Sequence, residues 1–469
     1  MVSSKPGFWY IADWSPDDTQ LLLGNYVSIN ESYLYTLAVQ ERTLKQVNAV
    51  DKKIGYGGAA WGRDGKGLYL TSDENSDFKQ LHYYDLTSGR LTTLTGDIPW
   101  DVNDFDLSDD GNLLAFVTNE NGISKLHVRE IRSGKERPLP ELPVGQIYGL
   151  NFSPDDQKLG MVLNTPQTPG DVYVLELAQN QLMRWTRSEV GGLNTSDFIV
   201  PDLITYDTFD QVEGKPRTIP AFYYKPSGPG PFPVLISIHG GPEGQYRPFF
   251  RSSFQFYLNE LGIAVLAPNV RGSNGYGKRY LLLDNGMKRE DSVKDIGKLL
   301  DWVARQPELD AERVAVIGGS YGGYMVLACM THFNDRLRAA VDIVGISNFV
   351  TFLENTKAYR RDLRRAEYGD ERDPEMRAFL NKISPTTNAH RISKPMFIAQ
   401  GANDPRVPAT ESAQMVKVIR ENGGEVWYML AKDEGHGFRK KSNRDAYSQT
   451  VALFLQRFLL SVGDETSMR

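Results

Sequence analysis

The stretch Arg313-Val-Ala-Val-Ile-Gly-Gly-Ser320-Tyr-Gly-Gly-Tyr324 is a short apolar strand that turns sharply around a serine into a helix. It carries the pattern G-x-S-x-G in Gly318, Ser320 and Gly322. Glycines on both sides let strand and helix backbones pass closely, so the serine is expected at a strained, exposed turn. The helix N-terminus behind it favours developing negative charge. A Gly-rich turn alone would explain the motif, so its meaning depends on what surrounds it.

Working outward, short apolar strands occur at Val234–His239, Ile263–Ala267, Val314–Ile317, Ala340–Val344 and Pro395–Ala399. Helical segments are expected between them at Ser292–Gln306, Gly323–Phe333, Ala409–Asn422 and Asn443–Leu460. Alternation of this kind specifies a mostly parallel, doubly wound sheet, an α/β-hydrolase fold over residues 196–469. In such sheets the chemistry gathers beyond the carboxyl ends of the strands.

Residues 1–195 read differently. Asp13-Trp14-Ser15-Pro16-Asp17-Asp18 recurs as Ala60-Trp61-Gly62-Arg63-Asp64-Gly65, as Asp106-Leu107-Ser108-Asp109-Asp110-Gly111 and as Asn151-Phe152-Ser153-Pro154-Asp155-Asp156. The anchors at Trp14, Trp61, Leu107 and Phe152 repeat at a spacing suited to four-stranded blades. The reading is an all-β, partial β-propeller of about four blades, of the WD40 or TolB type. Propellers close with about 4–8 blades. The repeats begin almost at Met1, so either the ring is small or open, or upstream blades are absent from this chain; the second is the favoured expectation. An arc of this kind is expected to leave an edge exposed near its first blade and to favour self-association.

Composition narrows the class. The 469 residues are 40% hydrophobic and 24% charged, a globular profile with room for two domains. No apolar run reaches the roughly 18–20 residues of a spanning helix, so no membrane role is expected, and the first residues have no signal-type apolar core. A net charge of −6 without a basic tract argues against nucleic acid as a partner. The single Cys329 excludes an internal disulfide and fits a reducing, cytoplasmic setting; it reads as a packing residue.

A serine nucleophile needs a base and a group that orients the base, and α/β-hydrolases supply them in the order Ser, Asp or Glu, His. Asp404 follows the strand Pro395–Ala399 in Gln400-Gly-Ala-Asn-Asp404-Pro-Arg406-Val-Pro408. His436 follows Val426–Leu430 between two glycines. Asp342, inside a strand, and Asp433, close to His436 in sequence, are the rival acids. Acyl transfer also needs donors aimed at an oxyanion. The N–H of Tyr321 is one, and His239-Gly240-Gly241-Pro242 offers the other, at Gly241. His239 reads as a residue that positions this loop rather than a second base. No metal or cofactor enters this chemistry.

The motifs His239–Pro242, Asn269–Gly277, Gly318–Tyr324, Asn403–Pro408 and Glu434–Phe438, set behind a propeller, resemble the prolyl oligopeptidase family of serine peptidases. The branch most similar is that of acylaminoacyl-peptidases and bacterial dipeptidyl-peptidases. The resemblance implies short peptide substrates, a triad of Ser320, Asp404 and His436, and an Arg406 that holds a substrate carbonyl. His239 stands where prolyl oligopeptidases proper carry a tyrosine, which points to backbone oxyanion donors. No adjacent Glu-Glu pair of the dipeptidyl-peptidase type occurs in residues 1–195, so the required substrate N-terminus stays open. Phe349 and Phe352, beyond the strand Ala340–Val344, are candidates to line the pocket for the residue before the scissile bond, with helix packing the alternative. The charged run Tyr359–Arg372 reads as a solvated, self-paired helix. A carboxylesterase with the same triad, or a non-catalytic propeller interaction module, are the competing functions, and a homo-oligomer is a possible assembly.

Overall fold

The computed structural model describes residues 7–461; the first residues, where no signal-type segment is expected, lie partly outside this range, as do residues 462–469. The chain forms two compact units. One comprises residues 1–197 with 247–250 and 274–280, the other residues 198–246, 251–273 and 281–469.

The first unit is built of four antiparallel sheets, one per sequence repeat. Three have four strands in simple up-and-down order: Phe8–Trp14 through Thr43–Gln46, Tyr56–Trp61 through Leu91–Thr93, and Gln146–Phe152 through Gln181–Arg184. The third repeat has only three, Asp101–Leu107, Leu113–Glu120 and Ile123–Glu130, with a lone bridge from Arg129 to Glu136 where a fourth would lie. Pro138, Pro140 and Pro143 follow, and a residue without an N–H cannot extend a ladder.

The repeats are stitched at equivalent positions. Asp13 of the first blade accepts the Trp61 N–H of the second at 2.8 Å, and Asp106 of the third accepts the Phe152 N–H of the fourth at 2.7 Å. Between them Arg63 donates to the Leu107 carbonyl at 2.7 Å. Each stitch buries the next anchor: Trp61, Leu107 and Phe152 are buried, whereas Trp14 is 48% exposed. First and last strands of the unit belong to different sheets, so no strand pairing closes a ring among the described residues.

The second unit carries one eight-stranded sheet. An antiparallel hairpin, Asp202–Val212 and Lys215–Tyr224, forms one edge, a pair the sequence analysis did not anticipate. Next come Ala264–Pro268, Phe232–Ile238, Leu309–Gly319, Ala339–Ile343, Met396–Gly401 and Val426–Ala431, all parallel to one another. The five strands read from sequence lie within or against these. The inner ones are buried along their length, as continuous apolar runs covered on both faces must be. Helices Asp291–Val303, Tyr321–His332, Ala409–Glu421 and Lys441–Leu455 cover the sheet, and Cys329 is fully buried in the second of them.

Candidate active site

Ser320 stands between the strand Leu309–Gly319 and the helix Tyr321–His332, with φ 60° and ψ −123°. A non-glycine residue there is strained, and it persists only because its surroundings hold it. Ser320 donates its N–H to the Ile343 carbonyl at 2.9 Å. The turn is possible because its flanks are bare: a Cβ on Gly318 would strike the Ile238 carbonyl at 2.9 Å, and one on Gly322 the His239 carbonyl at 2.8 Å.

The His239–Pro242 loop lies directly against the serine. A Cβ on Gly240 would sit 3.3 Å from that of Ser320. His239 is fixed at both ring nitrogens. Its Nδ1 lies 2.9 Å from the Gly240 carbonyl and its Nε2 2.8 Å from the Ser273 hydroxyl, which itself donates to the Val270 carbonyl at 2.6 Å. Burial pushes its pKa down to about 4, so it is neutral at physiological pH. Gly241 has φ 133°, a value that favours glycine. Among the described residues, neither the Gly241 nor the Tyr321 N–H has a hydrogen-bond partner.

The other two predicted residues meet each other. His436 Nδ1 lies 2.7 Å from Asp404 Oδ2, and the Asp404 side chain is wholly buried. The second carboxylate oxygen accepts the N–H groups of Arg406 at 2.8 Å and Val407 at 3.0 Å. The His436 loop is pinned by Glu434, whose carboxylate accepts the N–H of Lys440 at 2.8 Å and of Arg439 at 3.1 Å. Neither rival acid touches His436. Asp433 pairs with Lys440 at 2.6 Å, and Asp342 is buried against Gly323 and Gly345.

Arg406 is exposed and its guanidinium has no partner among the described residues; only its backbone is held, by Asp404 and by the Thr356 hydroxyl at 2.8 Å. Phe349 and Phe352 are buried. Their rings lie in a cluster with Tyr324 and Tyr368, Phe349 at 4.5 Å and 5.1 Å from the two centroids and Phe352 at 6.1 Å from Tyr368.

The run Tyr359–Arg372 departs from expectation. It contains a helix, Ala358–Tyr368, and is partly self-paired, as in Arg365 with Asp362 at 2.9 Å. Yet Arg364, Glu367 and Tyr368 are buried. These positions, three and four apart, share one face. Arg364 donates from Nη1 to the Gly241 carbonyl at 2.7 Å, to Glu243 at 3.1 Å and to Glu367 at 2.5 Å. Sequence reasoning missed these contacts because two of the partners of Arg364, Gly241 and Glu243, lie more than a hundred residues upstream.

A serine on a strained strand-to-helix turn, a histidine held by a buried aspartate and a glycine loop against the serine sit on an eight-stranded, mostly parallel sheet, the architecture of an α/β-hydrolase. Residues 248–461 match the sequence profile described as "Prolyl oligopeptidase family". Dipeptidyl aminopeptidase BIII of Pseudoxanthomonas mexicana is 36% identical over 84% of the chain and 58% of its own length. The fold is that of a puromycin hydrolase crystal structure, TM-score 0.86 at 20% identity over 96% of this chain and 69% of that one. It is also that of Pyrococcus horikoshii acylaminoacyl peptidase, TM-score 0.77 at 20% identity over 99% and 72%. Over residues 248–461 the chain is similar to the prolyl oligopeptidase family. It spans somewhat more than half the length of the Pseudoxanthomonas relative. Among the described residues no helix is long and apolar enough to cross a membrane.

Proposed function

We propose that the protein is a serine peptidase that cleaves short peptides through an acyl-enzyme on Ser320. The observation that carries this reading is the 2.7 Å contact of His436 with the buried Asp404, in a unit whose Ser320 is held at a strained turn. Asp404 fixes the imidazole with its proton on Nδ1, so Nε2 is free to take the Ser320 hydroxyl proton as the oxygen attacks the scissile carbonyl. The Tyr321 and Gly241 N–H groups stabilise the resulting oxyanion. His436 then returns the proton to the leaving amine, and water releases the acyl group by the same route.

Arg406, exposed beside Asp404, binds a carbonyl of the substrate on the acyl side. Phe349 and Phe352 back the pocket for the residue before the cleaved bond through the aromatic cluster. The name of the bacterial relative, an aminopeptidase releasing dipeptides, favours short peptides over esters as substrates. The lone buried cysteine suits a reducing, cytoplasmic setting.

The test is covalent. A fluorophosphonate should label Ser320, and Ser320→Ala should abolish labelling and leave only the residual rate of about 10³–10⁴ over water that binding and oxyanion donors supply. Labelling of another serine, or turnover in Ser320→Ala above that residual rate, would remove the assignment. Cleavage of a library of free and acylated short peptides then defines the substrate.

A further inference from the structure

The two oxyanion donors of the proposed mechanism come from segments about eighty residues apart, and both are gripped by one buried bridge. Arg364 holds the first, through the Gly241 carbonyl at 2.7 Å. Arg289 holds the second, donating from Nη1 to the Tyr321 hydroxyl at 3.2 Å. The arginines meet at one residue: Arg364 donates to the Glu367 carboxylate at 2.5 Å, and Arg289 to the Glu367 carbonyl at 2.6 Å. The adjacent Tyr368 ring lies between them, with guanidinium carbons 5.0 Å and 5.7 Å from its centroid, and stacks on Tyr321 at 5.9 Å.

Three carboxylates surround the two guanidinium groups of the bridge. Glu243 and Glu367 face Arg364, and Asp284 lies 2.8 Å from Arg289. Arg289 is entirely buried, and buried ions contribute little net stability compared with apolar residues of the same size. Their geometric effect is different: planar, forked donors fix distance and direction.

We propose that Arg364 and Arg289, joined through Glu367 and Tyr368, are positioning residues that set the separation of the Gly241 and Tyr321 N–H groups. The inference rests on the oxyanion role proposed above. An oxyanion hole acts only if both donors meet the place where negative charge develops, and a displacement of about 1 Å can cost about a hundredfold in rate. Arg364 pulls on the Gly241 carbonyl, in the peptide that follows the donor N–H across the same Cα, so losing it frees the Gly241 backbone to turn and shifts the N–H with it. Arg289 acts on the phenol of the residue that follows the nucleophile. Helix Ala358–Tyr368 thereby serves as a spacer for the site.

The test uses the full chain with Arg364→Met, Arg364→Lys, Arg289→Lys and the double variant Arg364→Met/Arg289→Lys, each checked for a native melting transition. The substrate is a dipeptidyl coumarin amide, with a dipeptide aldehyde as transition-state mimic and the free dipeptide as ground-state ligand. For Arg364→Met, kcat should fall about 10- to 100-fold with KM within about twofold. Aldehyde affinity should fall by the same factor and dipeptide affinity should hold. Arg364→Lys keeps a charged donor nitrogen on a shorter, non-planar side chain, and should recover part of the loss. The double variant should be no worse than the poorer single, because either break opens the same bridge. A folded Arg364→Met with wild-type kcat, a loss confined to KM, or multiplying losses in the double variant would overturn the proposal. Should Arg364→Met fail to fold, Arg364→Lys and Arg289→Lys carry the same comparison. Ser320-dependent fluorophosphonate labelling separates the two readings: its absence from the wild type overturns the proposed function, while its presence beside unchanged kcat in the variants overturns the bridge alone.

Discussion

Asp404 holds His436 through one carboxylate oxygen, at 2.7 Å, while its other oxygen is already occupied by the N–H groups of Arg406 and Val407. The carboxylate cannot rotate without losing backbone bonds, so the imidazole has one orientation and one tautomer. Asp404→Asn should keep the geometry and reverse the polarity of that contact, placing the proton on the wrong ring nitrogen. We expect kcat to fall about 10³- to 10⁴-fold with little change in ground-state affinity, read from steady-state kinetics on a dipeptidyl amide. Wild-type turnover would transfer the orienting role to another acid.

Arg406 has its backbone locked and its guanidinium exposed. If that group binds a peptide carbonyl, Arg406→Ala should weaken hydrolysis of dipeptide-derived substrates about ten- to a hundredfold, the worth of one charged hydrogen bond. A small acyl ester lacking that carbonyl should lose far less. Equal losses on the two substrates would make Arg406 structural, and would bring the carboxylesterase reading forward.

Asp342 lies under the Ser320 turn, its carboxyl against Gly323 and Gly345, and burial pushes its pKa up to about 8. The folded chain therefore keeps a proton that the unfolded chain gives up above about pH 4. Its contribution makes the fold less stable as pH rises from about 4 to about 8, and levels beyond. Asp342→Asn cannot ionise, so denaturant midpoints measured across that window should fall less steeply than in the wild type. Parallel pH profiles would show that Asp342 titrates normally.

Among the described residues the strand Phe8–Trp14 pairs along one edge only, and it presents Phe8, Ile11 and Trp14 at 65%, 60% and 48% exposure. Apolar surface on an unpaired edge invites self-association. Sedimentation velocity should show concentration-dependent association, and Ile11→Lys with Trp14→Glu should reduce it while leaving Ser320 labelling intact. Monomeric behaviour of both proteins at high concentration would discount this edge as a contact.

Much of the architecture was legible because it is periodic or local. Blade repeats announce themselves by Asp, Pro and Gly turns before apolar strands, and buried parallel strands by short runs of Val, Ile, Leu and Ala. The serine turn was legible from its glycines, since only a residue without Cβ can let Ile238, His239 and Ser320 approach as they do. Strand order likewise placed Asp404 and His436 after successive strands. The missing fourth strand of the third blade was written in three prolines but is visible only once the register is known. The edge hairpin Asp202–Tyr224 escaped because exposed, polar residues interrupt its alternation.

The sequence by itself determined the two architectures and singled out Ser320, Asp404 and His436 as candidates for acyl transfer, because these readings depend on residue type, spacing and order along the chain. Tertiary structure alone decided which charges are buried. Arg364 and Glu367 look like solvated helix residues in one dimension, and nothing in the local sequence marks Arg289 and Asp284 as buried. Their partners are brought from distant segments, and a charge enters a core only where the fold assembles its counter-charge and acceptors around it. Tertiary structure likewise decided that Trp14 stays open while its three counterparts are covered, since the same motif is buried or bare according to whether another blade lies against it.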